Sequence, residues 1–178
     1  VTVTPVAEKV GQDTDGNGTP DLTINPDRVY TATAQEDAAF NLGSGIDANT
    51  SNTFNLIDGW SNQDDTVNFG EESHTTAFND SEETYAHLTF GNKDGSTFTA
   101  IKGAIFTYND GTGNISLTDS GSGVDIPAAY LNTVTVTPPQ DYSDYNLASG
   151  AKTAVKVQAK TIDYDEDTDS SVTATSGE

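Results

Sequence analysis

The composition of this chain defines an acidic, cysteine-free protein and excludes several functional classes. Its 178 residues include 28 Asp and Glu against 7 Lys and Arg, which gives a formal net charge of −21, and there is no Cys. This charge repels nucleic acids and anionic membrane surfaces. Without Cys the chain forms no disulfide and no thiolate metal site. A compact state with this charge also repels itself, so we expect bound cations to stabilise it.

The first informative element in chain order is an acidic loop over residues 13–21, with the pattern D-x-D-x-N-G-x-x-D. Oxygen-bearing side chains recur at every second position, and Gly18 stands where a sharp turn is needed. Calcium takes about six to eight oxygen ligands, so this loop predicts a Ca²⁺ site; the alternative is a solvated Asp/Gly turn. The loop lacks the Glu of a full EF-hand and resembles the shorter calcium loops of dockerins and thrombospondin-type repeats. The predicted ligands are the side chains of Asp13, Asp15, Asn17 and Asp21 and the carbonyl oxygen of Thr19.

Alternating apolar and polar residues predict short β-strands along the rest of the chain. In 84–90, for example, Ala86, Leu88 and Phe90 fall on one face of the predicted strand. Glycine-containing turns at 93–95 and 109–111 predict two hairpins, whereas the pattern of 126–131 favours a helical turn. The predicted strands span 1–5, 29–34, 38–42, 53–57, 66–69, 84–90, 97–101, 104–108, 114–118, 133–137, 153–161 and 171–175.

These short strands, with turns between them and no long helix, predict an all-β fold, an antiparallel β-sandwich with extra loops or hairpins. We expect a single domain over residues 1–178, in which a calcium-binding entry segment covers the first 25 residues or so. The chain has no Met and begins within a strand-like pattern. We therefore expect it to be one module of a longer polypeptide.

Four segments carry motifs that are typical of one protein family. Residues 134–143, VTVTPPQDYS, match a strand-to-strand corner of the form VTPPxDYSG, and 35–42 match a segment of the form xEDTxFxL. Residues 154–163 match the penultimate strand of the same repeats, and 163–169 match their acidic turn. Together these segments resemble the repeats of giant bacterial surface adhesins, which are secreted by a type I system and often carry RTX repeats. One departure is Asp144, which stands where the family has Gly and would be strained at a positive φ.

The resemblance implies a Ca²⁺-stabilised Ig-like or cadherin-like Greek-key module in a long extracellular fibre on a bacterial cell surface. In cadherin-like repeats, a glutamate near the start and an Asp-x-Asp turn meet the calcium of a neighbouring module. Glu36 and the pair Asp163 and Asp165 match these elements, so the resemblance implies that they are calcium ligands. Asp141, in the Pro-Pro corner, is a further candidate. The implied partners are the neighbouring modules of the same adhesin chain.

Two acidic clusters are notable from the residues alone. Asp163, Asp165, Asp167 and Asp169 occupy alternate positions, which share one face of an extended strand and repel one another without a cation. This pattern indicates either a calcium site or a solvated acidic edge that deters sheet aggregation. The second cluster, either a calcium site or a solvated loop, comprises Glu71, Glu72, Asp80, Glu82 and Glu83.

The chain carries no convincing catalytic pattern. His74 and His87 are its only histidines, no Ser lies in a G-x-S-x-G turn, and His87 falls on the polar face of its strand. Lys152, Lys156 and Lys160 share one strand face, which indicates a solvated face. We therefore predict that the protein is not an enzyme but a structural extender of an adhesin.

The alternative is a domain near the adhesin tip that binds a glycan or a peptide. The segment 43–83 matches no known pattern, and it contains Trp60, the one Trp of the chain, next to Asn and Asp residues. An exposed Trp could stack on a sugar ring, although a lone Trp more often lies in the core.

Overall fold

The computed structural model consists mainly of antiparallel β-strands. It describes residues 22–23, 28–32, 34–35, 38–42, 46–47, 61–62, 82–165 and 170–175. Two 3₁₀ helices, Ala128–Thr133 and Asp144–Asn146, lie within these ranges. No helix among the described residues is long and apolar enough to cross a bilayer. The strands are β1 (Leu22–Thr23), β2 (Arg28–Ala32), β3 (Phe40–Asn41), β4 (Ile46–Asp47), β5 (Ser61–Asn62), β6 (Glu82–Asp94), β7 (Thr97–Ala100), β8 (Ile105–Asn109), β9 (Asn114–Thr118), β10 (Val124–Pro127), β11 (Thr135–Thr137), β12 (Lys152–Asp165) and β13 (Ser170–Thr175).

The strands form two principal sheets. The main sheet has the order β10-β6-β12-β2-β4, with β7 also paired to β6 and β13 also paired to β12. The second sheet has the order β3-β11-β8-β9, and β1 pairs with β5 separately. All the described pairings are antiparallel. The predicted all-β sandwich is confirmed, while its Ig-like Greek-key connectivity stays a prediction.

One hydrophobic core holds the two sheets together. In the main sheet, the register places Val155 opposite Phe90 and Val157 opposite Leu88, so these four side chains share a face. They belong to one buried cluster with Phe106 and other residues of the second sheet. Since side chains alternate between the faces of a strand, the same alternation places His87 of β6 and Lys156 and Lys160 of β12 on the opposite face.

Two tight hairpins connect neighbouring strands where the sequence predicts them. β6 and β7 are joined through Gly95 and Ser96, and Gly95 has a φ of 58°. β8 and β9 are joined by residues 110–113, where Asp110 N–H donates to the Gly113 carbonyl over 3.2 Å. Glycine takes a positive φ without a Cβ clash, so it suits such turns.

The observed strands agree with most of the predictions. The predicted strands between 84 and 118, and those at 29–34, 38–42, 133–137, 153–161 and 171–175, all coincide with observed strands. The predicted helical turn over 126–131 is partly wrong, because β10 continues to Pro127 before the 3₁₀ helix begins. β1, β4, β5 and β10 were not predicted. The predicted strands 1–5, 53–57 and 66–69 lie outside the described residues.

Candidate functional site

The two longest strands meet at an acidic end of the main sheet. The register places Asp163 of β12 opposite Glu82 of β6, with Glu83 at the next position, opposite Ile162. On the other side of β12, Asp165 lies opposite Ser170 of β13. We call residues 82–83 and 163–165 the acidic end. The described parts of the two acidic clusters, about 80 residues apart in the sequence, are thus neighbours in the sheet.

This register has an electrostatic consequence. Residues directly opposite each other in an antiparallel pair have Cβ atoms about 4.5–5.5 Å apart, and like charges at such positions are destabilising. A bound divalent cation is often the largest local charge in a site and reverses such repulsion. The register therefore opposes Glu82 to Asp163, a pairing that like charges alone disfavour.

Most of the predicted ligands lie outside the described residues. The ligands predicted in the 13–21 loop, together with Glu36, Asp167 and Asp169, fall outside the described residues, as do Trp60 and Asp80. Their roles stay predictions. Among the side chains that the structure describes, no three His, Asp or Glu residues are grouped so that they could hold a metal ion.

Asp141 lies in a tight turn of the Pro-Pro corner. The Tyr142 N–H donates to the Pro139 carbonyl over 3.1 Å, and Asp141, between them, has a φ of 62°. A type II turn requires a positive φ at its third residue, which here is Asp141. The expectation that Asp144 would be the strained residue is therefore wrong, because Asp144 begins a 3₁₀ helix.

Asp144 instead ties the corner to two other parts of the chain. Its Oδ2 accepts the Ala34 N–H over 2.9 Å, and its Oδ1 accepts the Thr153 hydroxyl. The Tyr142 hydroxyl lies 3.1 Å from the same Thr153 oxygen, and the Tyr142 ring packs edge-on against Phe90, with centroids 5.1 Å apart. The carboxylate of Asp144 therefore binds the Pro-Pro corner to Ala34 and Thr153. A glycine at this position, as in the adhesin repeats, has no side chain to make these hydrogen bonds.

A second charged group lies on the face of the main sheet opposite the core. His87 Nδ1 donates to Asp125 Oδ1 over 2.7 Å, and Lys160 Nζ donates to Asp125 Oδ2. All three side chains are half-buried. His87 and Lys160 both lie on the polar face as predicted, but the face is only partly solvated there, because both side chains pair with Asp125. Of the other two predicted lysines, Lys152 is exposed and Lys156 half-buried.

Asp125 is held in its charged form by these neighbours. Burial raises the pKa of its carboxyl group, but the hydrogen bonds from His87 and Lys160 and the Lys160 charge outweigh burial, so the pKa lies below its ordinary value. A lowered pKa in the folded state stabilises the protein above the unfolded-state pKa, and this stabilisation is lost as the pH falls through the folded-state value.

We expect Asp125→Asn to lower the free energy of unfolding at pH 7 by about 1 kcal/mol or less, since half-exposed ion pairs are screened. The difference from wild type should begin to narrow as the pH falls below about 4, the ordinary pKa of the unfolded carboxyl group, and should shrink further as the pH approaches the lower folded-state pKa. Urea unfolding of both proteins at several pH values between 3 and 7 measures this. A difference that stays constant over that range would contradict the assignment.

Asp119 is a buried carboxylate that the sequence interpretation missed. It is fully buried and accepts three backbone N–H groups: Phe90 on Oδ2 over 3.0 Å, and Gly121 and Gly123 on Oδ1 over 2.7 and 2.9 Å. Phe90 belongs to the main sheet, whereas Asp119 directly follows β9 of the second sheet. The carboxylate therefore links the two sheets and fixes the connection between β9 and β10.

The local sequence around Asp119 contains a signal for this role. The residues Asp119-Ser-Gly-Ser-Gly123 place glycines two and four positions after an Asp at the end of a strand. Asp side chains commonly accept N–H groups from residues shortly after them, and glycine allows the chain to fold around the carboxylate. Gly121 and Gly123 have φ values of 100° and 88°, which other residues rarely adopt.

In comparisons with known protein families, curated proteins and solved structures, nothing matches this chain.

Proposed function

We propose that this chain is a calcium-stabilised structural module of a bacterial cell-surface adhesin, which acts outside the cell as an extender between neighbouring modules. The observation that supports this most is the register of the acidic end, which opposes Asp163 to Glu82 in a chain of net charge −21. The resemblance of the Pro-Pro corner and the acidic turn to adhesin repeats supports the family.

The mechanism is charge neutralisation. Acidic segments that repel one another when empty are drawn together by Ca²⁺, which stiffens the end of the module where a neighbour would attach. β12 has 14 residues, and at about 3.3 Å per residue it spans roughly 45 Å. A strand of this length, paired along most of β6, suits a rigid spacer.

Calcium titration of chelator-stripped protein tests the proposal. Ligand linkage gives about 2.7 kcal/mol of stabilisation at a Ca²⁺ concentration near 100 times the dissociation constant, which corresponds to a rise in melting temperature of about 5–10 °C for a chain of this size. A calcium-dependent role would be refuted if calorimetry detects no heat of Ca²⁺ binding and the melting temperature does not change when Ca²⁺ is added. Glycan or peptide binding that EDTA abolishes would instead favour a ligand-binding domain.

A charge-removing substitution locates the site. We expect Asp163→Asn to reduce the calcium-induced rise in melting temperature by about 3–5 °C, the equivalent of a tenfold weaker site. Differential scanning calorimetry with and without Ca²⁺ measures the change.

Asp94→Asn is the matched control, because it removes the same charge from the exposed β6–β7 hairpin. It should leave the calcium-induced rise intact. If Asp163→Asn and Asp94→Asn behave alike, the acidic end does not bind the cation.

A further inference from the structure

The edge of the second sheet is open along β9. In the order β3-β11-β8-β9, β9 pairs with β8, and no strand among the described residues pairs with its other side. β9 contains the residues Asn-Ile-Ser-Leu-Thr, without a charge or a Pro. Natural edge strands are usually protected from pairing by Lys, Pro or a bulge. β9 has neither of the first two, and its register with β8 runs without interruption.

The hydrogen bonds at the two ends of β9 show which of its backbone groups face outward. Asp110 N–H donates to the Gly113 carbonyl at the start of the hairpin, and Asp119 N–H donates to the Ala104 carbonyl at its far end. Hydrogen-bonded and non-hydrogen-bonded pairs alternate in an antiparallel ladder. The residues of β9 whose N–H and C=O groups point away from β8 are therefore Asn114, Ser116 and Thr118.

The strands of the second sheet carry no charge, although the protein is strongly acidic. None of the residues in β3, β8, β9 and β11 carries a charge, although the chain has a net charge of −21. On its outer face, the hydroxyl oxygens of Thr107 and Ser116 are 2.8 Å apart and exposed. Two copies of a strongly acidic chain repel each other least where their contact surfaces carry no charge.

We propose that β9 pairs antiparallel with β9 of a second copy of this chain, about a two-fold axis at Ser116. In this register Asn114 lies opposite Thr118 of the other copy, and Ile115 lies opposite its Leu117. Polar residues thus meet polar residues on the outer face. The half-buried Ile115 and Leu117, which pack at the margin of the core, meet each other on the inner face.

The two-fold register also satisfies the outward backbone groups. The outward N–H and C=O groups of Asn114, Ser116 and Thr118 then form hydrogen bonds with the same strand of the other copy. The second sheets of the two copies thereby join into one continuous sheet. A contact through one strand pair is small, so we expect a weak, concentration-dependent dimer. Higher salt should strengthen it, because salt screens the repulsion between the two acidic chains. The proposal requires no cation and is independent of the proposed calcium role.

A single-cysteine variant tests the geometry, because the chain has no other Cys. In Ser116→Cys, the two sulfur-bearing residues occupy a hydrogen-bonded pair with Cα atoms about 5.5 Å apart, within the range of about 4.4–6.8 Å that a disulfide requires. We expect at least a tenfold higher yield of disulfide-linked dimer than from Thr97→Cys, an exposed strand position in the main sheet. Equal yields from the two variants would overturn the proposal.

A second variant tests the pairing without a covalent bond. Ser116→Pro removes an N–H that faces the open edge and leaves the hydrogen bonds between β8 and β9 intact, as is usual for Pro in edge strands. Sedimentation in 0.5 M NaCl, with EDTA and with Ca²⁺, should show a dimer for wild type and Ser116→Thr and a monomer for Ser116→Pro. A monomeric wild type at all concentrations, or a Ser116→Pro dimer as strong as wild type, would overturn the proposal.

Discussion

Replacing Asp119 by Ala is expected to lower the free energy of unfolding by about 3–5 kcal/mol, with a fall in melting temperature of about 10 °C or more. The carboxylate accepts three backbone N–H groups, and alanine leaves them without an acceptor. The Phe90 N–H belongs to a fully buried residue, so water does not replace the lost bond there. Each unsatisfied buried donor costs about 1–3 kcal/mol.

Asp110 provides the matched control for this prediction. Its Oδ1 also accepts three hydrogen bonds, from the Thr112 N–H, the Thr112 hydroxyl and the Gly113 N–H, but it lies in the exposed β8–β9 hairpin. Water can replace the carboxylate there, so we expect Asp110→Ala to lower stability much less than Asp119→Ala does. Urea unfolding of both variants gives the comparison. Equal losses would mean that burial does not determine the contribution of Asp119.

An isosteric substitution separates hydrogen bonding from packing. Asp119→Asn keeps the shape of the side chain but exchanges one acceptor oxygen for a donor, which must face either the Phe90 N–H or the two glycine N–H groups. We therefore expect a destabilised protein although the volume is unchanged. A variant as stable as wild type would show that the carboxylate acts only by filling space.

Asp119 also explains why the two sheets form one unit. Its backbone extends the second sheet, since its N–H donates to Ala104 and its carbonyl accepts from Gly103, over 2.8 and 2.7 Å. Its side chain binds the main sheet at Phe90, which is part of the core. The hydrogen bonds of Asp119 therefore connect the two sheets at the margin of the hydrophobic core.

The strands and hairpins could be predicted because their signals are local. Alternation in 84–90 is a period-two pattern, and the structure places Ala86, Leu88 and Phe90 in the core as that pattern indicates. Gly95 and Gly111 have positive φ values in the two hairpins, where only the local chain determines the turn. β10 was missed because Val124 to Pro127 is short and ends in a residue that rarely continues a strand.

The candidate site depends on contacts between distant parts of the chain, which local patterns do not determine. The pairing of Glu82 with Asp163 follows from the register of two long strands, and nothing in either acidic cluster specifies the other. The pairing of Asp125 with His87 and Lys160 likewise requires the order of three strands. At the Pro-Pro corner, the family pattern suggested strain at Asp144, but the turn after Pro139 places the positive φ at Asp141.

Gly91 leaves no room for a side chain between β6 and β7, and Gly91→Ala is expected to lower the free energy of unfolding by about 2–3 kcal/mol. A Cβ atom at this position would lie 2.2 Å from the Thr99 carbonyl oxygen and 2.8 Å from Cζ of Phe98. The Phe98 ring can rotate away, but the Thr99 oxygen belongs to the backbone of β7, so the strand itself must move. Thermal unfolding monitored by circular dichroism measures the loss.

Gly113→Ala is the control, because a Cβ atom there meets nothing within 4 Å and Gly113 does not have a positive φ. It should leave stability unchanged or raise it by up to about 1 kcal/mol, since alanine restricts the unfolded chain. The double variant Gly91→Ala, Phe98→Ala separates the two obstacles near Gly91. If the Thr99 carbonyl is the main obstacle, removing the Phe98 ring does not restore the stability lost in Gly91→Ala. Full restoration would show instead that the Phe98 ring is the obstacle and that the β7 backbone moves at little cost.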